Sequence, residues 1–193
     1  EQYIGFLDYN HSSNALIIGT SGAEKMRLTS AGELLVGTTG SIGTSAAKLE
    51  IQGASSGGRC INTKTDITTS ANAISFNNGN GQVGSIATNG SATAYNTSSD
   101  YRLKENVVAM SGATDRLKQL NPLRFNFIAD ADTTVDGFLA HEVQTLVPEA
   151  ITGTKDAVDA DGNPEYQGID QSKLVPLLVA TIKELEARIA TLE

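Results

Sequence analysis

The chain has 193 residues, a net charge of −8 and a pI near 4.7. That length holds one or two domains, and the acidic balance disfavours nucleic acid and anionic membrane surfaces, which need clustered Lys and Arg. No apolar run approaches the roughly 20 residues of a membrane span. The start, EQYIGFLDYN, lacks the basic segment and apolar run of a secretory signal; it also lacks Met, as a truncated start would. Cys60 is the only cysteine, so no disulfide closes within one chain, which suits assembly in a reducing cytoplasm. With no His patterned near it, Cys60 is expected to be a small buried or half-exposed residue and not a nucleophile.

Residues 1–99 hold 14 of the 19 glycines and none of the four prolines. Short alternating runs follow one another there: MRLTS, ELLVG, KLEIQG and AISFNN. Met26 and Leu28 point one way, Arg27 and Thr29 the other; Leu49 and Ile51 alternate with Lys48, Glu50 and Gln52. This period of two predicts half-buried strands, separated by the turn clusters TSAGE and NNGNGQ. The absence of proline fits backbone amides committed to ladders. Apolar side chains are sparse for a hundred residues that must offset about 1–2 kcal/mol of backbone entropy each. The segment is therefore either a flexible linker or a fibre that buries its apolar rows against identical chains. The alternation favours the fibre.

Residues 100–193 carry nine basic and sixteen acidic side chains and all the prolines. DRLKQLNPLRFNFI predicts a helix with Leu117 and Leu120 on one side, broken at Asn121-Pro122, then a strand with Leu123, Phe125 and Phe127. GFLAHEVQTLVPEAI predicts a short helix ending at Pro148. DAVDADGNPEYQG is an acidic turn or hairpin tip. Set as a calcium loop with Gly162 sixth, its first and twelfth positions would be Ala157 and Gly168, neither of which supplies a ligating side chain. DQSKLVPLLVATIKELEARIATLE predicts a long terminal helix, with Pro176 early, where its missing N–H matters least. Val175, Leu178, Ile182, Leu185, Ile189 and Leu192 recur at alternating steps of three and four, an a/d seam. Thr181 and Arg188 fall at g, Glu186 and Glu193 at e. The plain alternative is an amphipathic helix packed on its own domain.

Four blocks occur in order: SSDYRLKENV, LKQLNPLRFNF, GFLAHEVQTLVPEA and GIDQSKLVPLLVATIKELEARI. Together they resemble the endosialidase-type intramolecular chaperone domain found at the C-terminus of phage tailspikes and tail fibres. The resemblance covers about residues 98–193. It implies a module that trimerises, guides a triple-stranded β-fibre to fold and then cuts itself off with a Ser–Lys dyad. The matching positions are Ser99, followed by Asp100, and Lys104. The implied fold is mixed: an N-terminal trimeric, triple β-helix-like β-fibre over 1–98, then an α+β chaperone domain over 99–193 ending in a long coiled-coil helix.

The spacing makes chemical sense. A serine hydroxyl needs a base, and lysine at its reference pKa near 10.4 is only about 0.04% free amine at pH 7. Burial must lower that value, so the dyad needs a packed, water-poor site. If YRLKEN is the first helical turn, Lys104 points back toward Ser99; otherwise Ser99 or Asp100 is a helix cap and Lys104 is solvated. The Ser99 hydroxyl reaches the Ser98 carbonyl through a five-membered ring and its own carbonyl only through a strained four-membered one. Geometry favours the Ser98–Ser99 bond, whereas family descriptions also place the cut between Ser99 and Asp100. Asn106, as an oxyanion donor, and Glu142 are supporting candidates; His141 is a poor one.

The expected whole is the C-terminal end of a tail fibre or tailspike, assembled in the host bacterial cytoplasm and carried on the virion. Its partners are itself, as a homotrimer, the upstream fibre of the same chain and, through the mature fibre, a host cell-surface receptor. No cofactor or metal is expected. The first rival is a trimeric adhesin with a permanent, non-catalytic cap. A carbohydrate-active enzyme is a weaker one, because no carboxylate pair stands out in the first part.

Overall fold

The computed structural model describes residues 4–42, 47–53 and 59–192. The fold is mixed α/β, and the chain divides into two compact units, Glu1–Asp100 and Tyr101–Glu193.

The first unit is built of strands. β1 (Phe6–Asn10), β2 (Ala15–Thr20), β3 (Ala23–Leu28), β4 (Leu34–Val36) and β5 (Leu49–Ile51) form a sheet in that order. All its pairings are antiparallel except β4–β5, which is parallel. The TSAGE turn closes β3 onto β4: Gly32 takes the left-handed conformation (φ 76°) and donates to the Thr29 carbonyl. One face is covered, with Ala15, Ile17, Leu35 and Glu50 all buried. Gly19 sits on that face because the Phe6 ring lies over it; a Cβ there would meet ring carbons at 2.1 Å. A second, antiparallel sheet comprises β6 (Ala71–Asn78), β7 (Gly81–Thr88) and β8 (Thr93–Thr97). The NNGNGQ cluster is its first hairpin turn, with Gly81 at φ 96°. Cys60 is exposed, against the expectation of at least partial burial; it lies in an irregular stretch between sheets whose neighbours are mostly exposed as well.

The second unit gathers short elements around one small core. After a 3-10 turn at Tyr101–Leu103 come α1 (Ala113–Leu117), β9 (Leu123–Phe127), β10 (Asp130–Gly137) and α2 (Ala140–Gln144). Then follow β11 (Ile151–Thr152), β12 (Ala157–Val158), β13 (Pro164–Glu165), β14 (Gly168–Ile169) and α3 (Val175–Ala190). β9 and β10 form a hairpin, β12 and β13 another, and β11 pairs with β14. The acidic tip is folded by Asp159, whose carboxylate accepts from the amides of Asp161 and Asn163 and from the Asn163 side chain. The helix expected through Leu120 ends at Leu117, and Leu120 closes a final turn on the Leu117 carbonyl. The core is Ala113, Val143, Val147, Ala150, Leu174 and Leu177, flanked by Leu117, Leu120, Phe138 and Leu146 among others. Pro176 sits in the first turn of α3. Among the described residues, no helix is long and apolar enough to cross a membrane.

Candidate functional site

The candidates from Ser98 to Asn106 lie along one exposed stretch. β8 ends at Thr97, and Ser98 prolongs its ladder: the Ser98 amide donates to the Val83 carbonyl at 3.1 Å, and its hydroxyl to the Gln82 carbonyl at 3.4 Å. Ser99 is the next residue. Ser98, Ser99 and Asp100 are exposed. Ser98 is thus held by β7 on the acyl side of the Ser98–Ser99 bond.

Tyr101–Leu103 form one turn of 3-10 helix, closed by the Lys104 amide on the Tyr101 carbonyl at 3.1 Å. The expected first turn of an α-helix over YRLKEN is therefore a tighter, shorter turn, and Lys104 comes directly after it. Asn106 has φ 52°, the left-handed conformation that Asn tolerates better than most residues, and it turns the chain out of this segment. Every residue from Tyr101 to Met110 is exposed. The apolar ones are strongly so: Tyr101, Leu103, Val107 and Val108 are each more than 70% exposed. A lysine works as a base only where water is excluded, and apolar side chains belong beside such a site. This stretch has those side chains, but one chain alone leaves them in solvent.

Glu142, in the first turn of α2, accepts a hydrogen bond from Asn121 Nδ2 at 3.4 Å.

The α3 helix presents two faces. One holds it to its own unit through Leu177 and Thr181, both buried, and through Glu184. The other is the a/d row. Val175, Leu178, Ile182, Leu185 and Ile189, together with Leu192 in the turn just past the helix, are between 41% and 87% exposed. The helix therefore packs on its own domain and still leaves the seam uncovered. Glu193, the last expected e position, lies outside the described residues.

Sequence reasoning missed Glu184. Its carboxylate accepts from the amides of Ala113 and Thr114, both at 2.8 Å, and from the Thr114 hydroxyl at 2.6 Å. α1 starts at Gly112 (φ 66°) with no side-chain cap of its own, so a carboxylate 70 residues away satisfies its first amides. Glu184 is followed immediately by Leu185 of the seam, so one turn of α3 carries both the open row and the anchor for residues 112–114. The Thr114 hydroxyl first, then the Thr114 and Ala113 amides, hold the carboxyl below its ordinary value near 4.5. A lowered folded value means the stabilisation is complete above the ordinary pKa and fades as pH falls through the lowered one. Glu184→Ala should lower the melting midpoint of the second unit by several degrees at pH 7, because it strands two amides near the core. That deficit should shrink in acid, where the wild-type clamp is itself protonated. Calorimetry of both proteins across pH 3–7 measures it.

Residues 99–152 match a peptidase family model described as the chaperone of endosialidase. The second unit therefore contains an endosialidase-type chaperone domain, and the family points to a role in building phage tail fibres. The match begins at Ser99, spans Lys104, α1 and α2, and ends at β11. No curated protein matches the chain.

Proposed function

We propose, from an endosialidase-type chaperone domain beginning at Ser99, that this chain is part of a phage tail fibre or tailspike that assembles itself and then sheds its guide. Three copies of α3 pack along Val175, Leu178, Ile182, Leu185, Ile189 and Leu192. The second units, once joined, hold three first units together so that their strands pair and pack in register. Ser99 and Lys104 then cut the chain beside Ser99, releasing a shaft that attaches the virion to its host receptor. The observation that carries this reading is the split of α3 into a face buried against its own unit and an apolar a/d face left open. A helix that served its own domain alone would bury its most apolar row.

The chemistry follows from the positions. Lys104 Nζ, as the free amine, takes the proton of Ser99 Oγ, and the oxygen attacks the carbonyl carbon of Ser98. The tetrahedral intermediate collapses by expelling the Ser99 nitrogen, which receives the proton from Lys104. Ser98 is then held as an ester on Ser99 Oγ; water adds to that ester and frees the Ser98 carboxylate and the Ser99 hydroxyl. The alternative cut, between Ser99 and Asp100, requires the four-membered ring. The three chains provide the dry surroundings that the exposed stretch lacks alone, by covering Tyr101, Leu103, Val107 and Val108. Self-cleavage acts once per chain and needs no cofactor.

The test is to incubate purified protein and measure fragment masses. Cleavage gives pieces of about 98 and 95 residues, and the masses identify the bond. A single intact band from a protein shown to be trimeric instead supports a permanent, non-catalytic cap. A second expectation concerns guidance. Residues 1–98 expressed alone should aggregate or stay disordered, because sheets with open edges and open apolar surface associate without register. Soluble, heat-resistant trimer from that fragment would remove the need for a chaperone.

A further inference from the structure

Among the described residues of the first unit, the five-stranded sheet leaves one face largely open. The register across β1 to β5 aligns Leu7, Ile18, Met26, Val36 and Ile51 in one row. It aligns Tyr9, Leu16, Leu28, Leu34 and Leu49 in a second row, two residues along on the same face. All ten are apolar or aromatic. Leu7, Tyr9, Leu16, Ile18, Leu28 and Leu49 are between 37% and 70% exposed, and the middle of the face forms a groove of about 270 Å³ between Leu16, Ile18, Met26 and Leu34.

Charge is sorted to the opposite side. Asp8, Arg27 and Glu50 occupy the row between the two apolar ones, pointing the other way, and Glu24 pairs with Arg27 there. The covered face thus mixes these charges with the buried Ile17 and Leu35 of the same row, while the two rows of the open face are apolar or aromatic throughout. That is the reverse of a sheet whose second face meets water.

We infer that this open face packs against the same face of the other copies of the chain, so that the ten-residue surface becomes the interior of the shaft. The inference rests on the trimeric reading above and deepens it by naming the surface. Three observations select the occupant. The face presents roughly 600–800 Å² of apolar area per chain, more than a monomer usually leaves open and close to what each partner of a stable interface buries. It carries no charge, so its partner must be apolar and flat over five strands, and an identical face meets both requirements. Stacking the open face on the covered face of a neighbour would put Asp8 against apolar rows. Three open faces turned toward one three-fold axis bury one another and close the set.

The experiment is thiol protection in the full-length chain. In a Cys60→Ser background, Met26→Cys places a thiol at the centre of the face and Asp8→Cys places one on the opposite side. Each protein is treated with a small maleimide while its mass is followed by light scattering. The expected result is a three-chain mass, with position 26 labelled about 100-fold more slowly than position 8. Leu28→Cys, in the adjacent row, should show the same protection if Met26→Cys folds poorly. Labelling at 26 and 28 as fast as at 8, in a protein of three-chain mass, overturns the inference and leaves the trimer standing. Slow labelling with a two-chain mass keeps the face-to-face contact and overturns the three-chain reading. The readout does not depend on cleavage, so an inactive dyad leaves it unchanged.

Discussion

Ser99→Ala should leave a chain that folds, trimerises and never cuts. The substitution removes one oxygen from an exposed position at the end of β8, where the ladder contacts belong to Ser98 and are unaffected. The cleavage rate should fall by about 10⁴-fold or more, because no other group supplies the nucleophile. Lys104→Ala should slow cleavage by about 10²- to 10⁴-fold, the range associated with losing a general base. Lys104→Arg should not restore it: a guanidinium stays protonated in proteins and cannot accept the hydroxyl proton. Masses taken over days at pH 7–8, alongside light scattering, separate the effects. If Ser99→Ala still cuts at the same bond, Ser99 is not the nucleophile, and Ser98, whose hydroxyl lies on Gln82, becomes the candidate.

How much of this was legible in the sequence differs from element to element. β3 to β6 announce themselves by alternation, as do β9 and the terminal helix, because each sets its apolar side chains at a regular period. β10 does not. Its residues, Asp130–Gly137, are mostly polar, with only Ala131 and Val135 apolar, and pairing with β9 makes them a strand. β1, β2, β7 and β8 also escaped, although ALIIGT is an apolar run beside turn residues. The two apolar rows of the first sheet were visible in fragments, as Met26 with Leu28 and Leu49 with Ile51. Their union into one face depends on register, including the parallel return of β5 onto β4, and register is set by long-range pairing. In α3 the heptad row was visible, but not which row faces the domain. Leu177 and Thr181 share the helical period with Leu178 and Ile182. The choice between rows is made by Ala113, Val143 and Val147 packing from elsewhere in the chain. Glu184 was silent for the same reason: a carboxylate in KELE reads as a solvated charge until α1 arrives at it. At the dyad, chemistry in the sequence suggested partners and a bond, while the exposure of residues 101–110 became visible only in the fold.

Asp at both Ile182 and Leu185 should abolish trimer and cleavage together. Ile182 is 64% exposed and Leu185 41% exposed in a single chain, so both aspartates remain solvated there and the second unit keeps its fold through Leu177, Thr181 and Glu184. In a three-chain seam, the same changes bury six carboxylates against one another, at several kcal/mol per ion. Micromolar association, worth about 8 kcal/mol, does not survive that. Cleavage falls with assembly if neighbouring chains provide the water-poor surroundings that Lys104 needs, since Tyr101, Leu103, Val107 and Val108 then stay in solvent. The order has a consequence for the product. A cut that waits for three chains removes the guide only after the shaft strands are in register, and the shaft is then trapped kinetically, because refolding would need the lost module. Light scattering and a denaturing gel on the same sample, with circular dichroism to show that the helix persists, carry the measurement. Full-rate cleavage in a demonstrated monomer would sink the gating and spare the dyad. An intact trimer carrying both aspartates would move the interface off α3 altogether.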